Sequence, residues 1–130
     1  MNRIAILSLI LVFSCELLSS PETNIISESD FIELKDSEYI LIDVRTQDEF
    51  DSGHINSAIN LDFYSNTFKN DILSLSKNET IVLYCRTNNR SSKTANILKE
   101  NGFKEISVLE GGITEWVKNG NDINYTTYSD

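Results

Sequence analysis

A chain of 130 residues with 40% apolar content supports one domain around one hydrophobic core. Its 20 acidic and 11 basic residues give a net charge of −9, which argues against binding nucleic acid or an anionic membrane through a general basic field. Positive charge is local, at Arg86, Arg90 and Lys93, which suits a small anionic ligand.

The amino terminus reads as a processing segment rather than part of the fold. A basic start at Met1-Asn2-Arg3 leads into the ten-residue apolar run Ile4 to Phe13, interrupted only by Ser8. Ten residues are too few to span a bilayer and match the core of a signal peptide. The run closes on Ser14-Cys15, and Val12-Phe13-Ser14-Cys15 resembles a bacterial lipoprotein cleavage box with an unusually bulky Phe13. The expectation is a signal peptide over 1–14, acylation of Cys15, a polar tether over 15–23 and a domain over 24–130. An ordinary signal peptide cut near Ser19-Ser20, discarding Cys15, is the alternative. Either version implies export, to the periplasm or the cell envelope of a bacterium.

In chain order, Asn24 to Ser27 is a short strand candidate, and Ser27 or Ser29 can cap a brief helix through Phe31, Ile32 and Leu34. Tyr39 to Val44 is a nearly continuous apolar run, as in a strand buried on both faces. Thr46 to Glu49 has the spacing of a capping box, opening a helix that ends at Asp51-Ser52-Gly53. Ser57 to Leu61 reads as a strand, and Phe63 to Leu75 has helical spacing at 64, 68, 72 and 75. Ile81 to Tyr84 is a strand, followed by a loop and a helical pattern from Ser92 to Glu100. Ile106 to Leu109 is a further strand, and Gly112 to Lys118 a last helix. Strands alternating with helices predict an α/β fold, a mostly parallel sheet with helices on both faces.

The most informative stretch is Ile81 to Ser91. It places Cys85 at the carboxyl end of a strand, on a loop that feeds a helix amino terminus. Unpaired backbone N–H groups there, with Arg86 and Arg90 nearby, favour thiolate over thiol. The plain alternative is an inert cysteine buried at a strand end. Ligand sites in such sheets lie beyond the carboxyl ends of the strands.

Four motifs in order resemble the single-domain rhodanese family: Leu41-Ile42-Asp43-Val44-Arg45; Glu49-Phe50 with Gly53-His54-Ile55 and Ala58-Ile59-Asn60; Cys85 to Ser91; and Leu109 to Trp116. The resemblance implies a three-layer sandwich with a central five-stranded, mostly parallel sheet. It also implies sulfane-sulfur transfer through a persulfide on Cys85, with Arg86, Thr87, Asn88, Asn89, Arg90 and Ser91 as the loop that binds the substrate. The partners implied are a small anionic donor such as thiosulfate and a cyanide, thiol or protein-cysteine acceptor. No cofactor, no metal and no nucleic acid enter this reading, and a membrane enters only through the anchor. Asn88 stands where the family loop commonly has glycine, so it is expected to take up positive φ and to narrow the pocket. Asn56 and Ser57 replace a common proline and a common glycine in the scaffold.

Arg86 is the candidate for holding the donor; Arg90 either shares that task or pairs with an acid such as Asp43. Asp43, Arg45 and Glu49 read as a structural charge network, His54 as a structural histidine, and Trp116 and Phe103 as core. Phe63 and Tyr64 either wall the pocket or pack a helix. Competing functions are a phosphatase or arsenate reductase, a non-enzymatic persulfide carrier or tethered binding module, and a redox sensor. The first needs five residues between cysteine and arginine, where this chain has four. The sensor is weakened by the absence of a resolving cysteine.

Overall fold

The computed structural model describes residues 23–127. The expected signal segment, Cys15 and the tether up to residue 22 lie outside the described residues. Thr23, the last residue of the expected tether, is described, and its hydroxyl donates to the Asn96 side-chain oxygen at 3.2 Å.

Five strands form one all-parallel sheet: β1 (Asn24–Ile26), β2 (Ile40–Asp43), β3 (Ile59–Asn60), β4 (Thr80–Tyr84) and β5 (Glu105–Leu109), in the order β1-β5-β4-β2-β3. Five helices accompany them: α1 (Glu28–Glu33), α2 (Gln47–Asp51), α3 (Phe68–Leu73), α4 (Asn89–Glu100) and α5 (Gly112–Lys118). Strand side chains alternate between the two faces. Ile81, Leu83 and Cys85 therefore point into one apolar cluster, with Phe68 and Ile72 of α3 and Ala95 and Leu98 of α4. Val82 and Tyr84 point into the other, with Phe31 of α1 and Ile113 of α5. Both faces are covered, which is why β2 and β4 are apolar almost throughout.

The capping predictions hold at two helices. Ser27 Oγ accepts from Asp30 N to start α1, and Thr46 and Glu49 form the reciprocal capping box of α2. The helix expected from Phe63 begins only at Phe68. The Asp62 carboxylate accepts from Tyr64 N at 2.8 Å, and Ser65 N donates to Asp62 O at 3.0 Å, so local turn bonds win over helical periodicity. Tyr64 is therefore off the helix and 68% exposed. The helix expected from Ser92 starts earlier, at Asn89, so the loop after Cys85 is short.

Ser57 is the one described non-glycine residue at positive φ, +68°. A Cβ in that conformation costs about 1–2 kcal/mol, partly offset by the backbone entropy glycine loses on folding. Ser57→Gly is expected to stabilise the fold by about 0.5–1 kcal/mol, read as a higher urea midpoint with an unchanged m-value. An unchanged or lower midpoint would count against strain at this turn.

Chain order reverses between β2 and β4: β3 is added on one side of β2, while β4 and β5 are laid down on the other. The carboxyl ends of β2 and β4 flank this switch point, where open parallel sheets leave a crevice for ligands. Arg45 follows one strand and Cys85 the other.

Candidate active site

Cys85 is 1% exposed and lies at the floor of a cleft of about 380 Å³, walled by Thr46, Glu49, Tyr64, Arg86, Thr87, Asn89 and Arg90. The cysteine is thus both packed against the core and open to the cleft. Its sulfur is 3.4 Å from the fully buried Ser91 Oγ, which also lies within hydrogen-bond reach of Asn88 O at 3.2 Å.

What shapes the loop is the start of α5. Ile113 N donates to Cys85 O at 3.0 Å, Thr114 N to Arg86 O at 3.1 Å, and Thr114 Oγ1 to the same carbonyl at 2.8 Å. A Cβ on Gly112 would sit 2.4 Å from the carbonyl oxygens of Cys85 and Thr87 and 2.8 Å from that of Arg86. Three consecutive carbonyls therefore converge on Gly112. Since C=O and N–H oppose one another across a planar peptide, the N–H groups of Arg86, Thr87 and Asn88 point the other way. Asn89, Arg90 and Ser91 form the first turn of α4, whose N–H groups have no helical acceptor. Among the described residues, no protein group accepts a hydrogen bond from the N–H of any residue from Arg86 to Ser91.

The expectation for Asn88 is corrected. Its φ is −137°, and its side chain turns toward the β5–α5 connection, donating to Leu109 O at 3.2 Å and accepting from Gly111 N at 3.0 Å. It stitches the loop to the neighbouring turn and does not wall the cleft.

Arg90 does pair with an acid, which is Glu49 rather than Asp43. Its guanidinium makes a bidentate pair with Glu49, at 2.7 and 3.1 Å, and lies 5.8 Å from the Tyr64 ring centroid. Asp43 instead belongs to Arg45: the buried carboxylate accepts from Arg45 N, Nε and Nη2, and Arg45 in turn donates to the carbonyls of Glu49 and Gly53. Arg86 and Thr87 are exposed on the rim with Asn89. Arg86 has no ion-pair partner among the described residues. His54 stacks on Phe50 at 3.8 Å between centroids, with Nδ1 2.9 Å from Phe50 O, so it is held structurally. Phe103 is buried, and Trp116 packs on the second cluster.

The bond to Arg90 holds the Glu49 carboxyl at about 2, against partial burial, with Thr46 N adding to the effect. The same pair raises Arg90. A depressed carboxyl stabilises the fold above its unfolded value near 4.5, and that contribution is lost as pH falls toward 2. Glu49→Gln is therefore expected to be less stable than wild type at pH 7, with the gap closing between pH 4.5 and 2 in urea melts. A gap constant across that window would remove the pair from the stability account.

Sequence reasoning missed Gly112 and the pairing of Glu49 with Arg90. The Gly111-Gly112 step before a helix was a usable signal for the first. Nothing local pointed to a pair 41 positions apart. Among the described residues, no cluster of three or more His, Cys, Asp and Glu side chains could hold a metal, and no helix is long and apolar enough to cross a membrane.

The site is thus a parallel sheet with a cysteine at its switch point, followed by a loop whose carbonyls face α5 and whose N–H groups point away from it. A family model for the rhodanese-like domain matches residues 28–119, and this chain belongs to that family. It is similar to tRNA uridine(34) hydroxylases, 35% identical over 91 residues in Buchnera aphidicola (65% of this chain, 28% of that protein) and 30% over 95 residues in Escherichia coli O6:H1 (68% and 27%). The chain thus spans about a quarter of the length of these curated relatives. Among solved structures, it resembles a rhodanese-related protein from Thermoplasma volcanium (TM-score 0.70, 25% identity, 79% of this chain and 99% of that one). A rhodanese-like domain protein from Staphylococcus aureus is similar too (TM-score 0.65, 25% identity, 81% and 100%).

Proposed function

We propose that the protein is a sulfurtransferase that carries a sulfane sulfur on Cys85. The observation that supports this best is the run of N–H groups from Arg86 to Ser91 without acceptors among the described residues, on the loop that follows a thiol in an open cleft. The Cys85 thiolate attacks the outer sulfur of a donor such as thiosulfate. A new S–S bond forms, the donor's S–S bond breaks, and sulfite departs with the electron pair. The persulfide that remains is anionic, and the loop N–H groups are its counterpart, each such donor being worth up to about 3–4 kcal/mol in comparable anion sites. A second nucleophile then takes the outer sulfur and Cys85 leaves as thiolate, so ping-pong kinetics are expected. Neither half-reaction needs a general base, which agrees with a structural His54. Arg86, exposed at the mouth and without an ion-pair partner among the described residues, is the residue assigned to the anionic donor.

The test is intact mass after incubation with thiosulfate, with Cys85→Ser as control, before and after cyanide. One added sulfur on wild type alone, removed by cyanide with repeated release of thiocyanate, supports the enzyme. Stable loading without turnover supports a persulfide carrier. No loading from any sulfane donor rejects the reading. The names of the hydroxylase relatives favour a second reading, action on tRNA. The net charge of −9 opposes it, and it requires salt-dependent tRNA binding that a titration would detect.

A further inference from the structure

A second cleft, of about 650 Å³, adjoins the one over Cys85, and the two share Glu49 and Arg86. It is walled by the end of α2, by α5 and by the carboxyl-terminal tail. The tail is pinned there by a two-way backbone pair between His54 and Asn124, 2.8 Å in each direction. Ile123 packs so closely on Gly53 that a Cβ there would meet its Cδ1 at 2.8 Å. Ile113, Val117 and Ile123 make the cleft's apolar surface, with Val117 48% exposed.

Charge is arranged at its edges. Arg45 is paired with Asp43 and Glu49 with Arg90. Two lining charges lack an ion-pair partner among the described residues: Asp48 on α2, and Arg86 on the side shared with Cys85.

We propose that this cleft seats the sulfur acceptor, and that the acceptor is a cysteine-bearing peptide segment of another protein. The segment has a basic residue, then apolar residues, then the cysteine followed by an acid. This rests on the sulfurtransferase reading and names the substrate of its second half-reaction. Cyanide or sulfite would leave the cleft nearly empty and gain nothing from its apolar wall, whereas an extended peptide advances about 3.3 Å per residue. Two apolar side chains can therefore lie over Ile113 and Val117 while the cysteine passes Arg86 to the neighbouring cleft. Arg86 is vacated when the donor's sulfite leaves, and it then meets the segment's acid; Asp48 meets its base. In the transfer, the peptide thiolate attacks the outer sulfur of the Cys85 persulfide. One S–S bond forms on the peptide, the S–S bond to Cys85 breaks, and Cys85 regains its thiolate.

The test loads the full chain with thiosulfate and follows discharge to acetyl-Lys-Leu-Leu-Cys-Glu-amide, to acetyl-Gly-Gly-Gly-Cys-Gly-amide and to cyanide. Wild type is expected to discharge to the first peptide about tenfold faster than to the second, as burial of two leucines on an apolar wall would give even at partial efficiency. Val117→Asp is expected to bring the ratio of first-peptide to cyanide discharge down about tenfold. Equal rates for the two peptides on wild type overturn the proposal without any variant. A ratio unchanged within twofold in a folded Val117→Asp protein overturns it as well. Failure of thiosulfate and of every other sulfane donor to load Cys85 overturns the parent reading instead, and the acceptor role with it.

Discussion

Gly112→Ala is expected to lower thiosulfate loading of Cys85 about 100-fold, the scale that a displacement of about 1 Å at a reacting centre can cost. The cause is steric and lies in the backbone. The new Cβ would stand 2.4 Å from the carbonyl oxygens of Cys85 and Thr87. No flexible side chain can yield, so the loop or the start of α5 must move. Either movement disturbs the bonds from Ile113 N and Thr114 N to the loop carbonyls, and with them the direction of the opposed N–H groups. Overpacking of this kind also costs about 1–3 kcal/mol of stability. Intact-mass loading time courses on a protein shown to be folded by circular dichroism make the test. Loading within threefold of wild type would mean that these carbonyls do not set the cradle.

The second large effect is on stability. Asp43→Ala is expected to destabilise the fold by about 3–5 kcal/mol, because it strands the Arg45 guanidinium without its counter-charge in a buried position. Arg45 is 6% exposed, and Asp43 is fully buried. The pair does more than neutralise charge. Asp43 ends β2, and Arg45 reaches the carbonyls of Glu49 and Gly53, so the strand end, the middle of α2 and the turn that follows it are tied through one guanidinium. Removing both charges in Asp43→Ala/Arg45→Met should recover a substantial part of the loss, since no buried charge is then left unpaired. Urea melts of the two variants decide this. A loss below about 1 kcal/mol in the single variant would show that water reaches Arg45 and replaces the carboxylate.

The two charge networks illustrate different degrees of legibility. That Asp43 and Arg45 are structural is readable because they lie two positions apart at a strand end, where an acid within an apolar run needs a partner. The Thr46–Glu49 capping box is likewise local. Arg90 remained open between an anion and an acid, and the acid proved to be Glu49. That choice required knowing that α2 and the first turn of α4 face each other across the cleft. The helix expected from Phe63 failed for the opposite reason. A local competitor, the Asp62 carboxylate on Tyr64 N, outweighed an apolar spacing that only tertiary burial could have enforced.

By itself the sequence determined the alternation of strands and helices, the burial of β2 on both faces, and the place of Cys85 at a strand end. These follow from periodicity and caps, which act over a few residues. Tertiary structure alone decided which way the loop N–H groups point, because that depends on Gly112 standing 27 positions away against the loop carbonyls. It also decided that Asn88 turns out of the pocket toward Gly111, and that a second, apolar cleft lies beside the thiol. Both depend on distant segments being brought together by the packing of the sheet, and no local pattern encodes such a meeting.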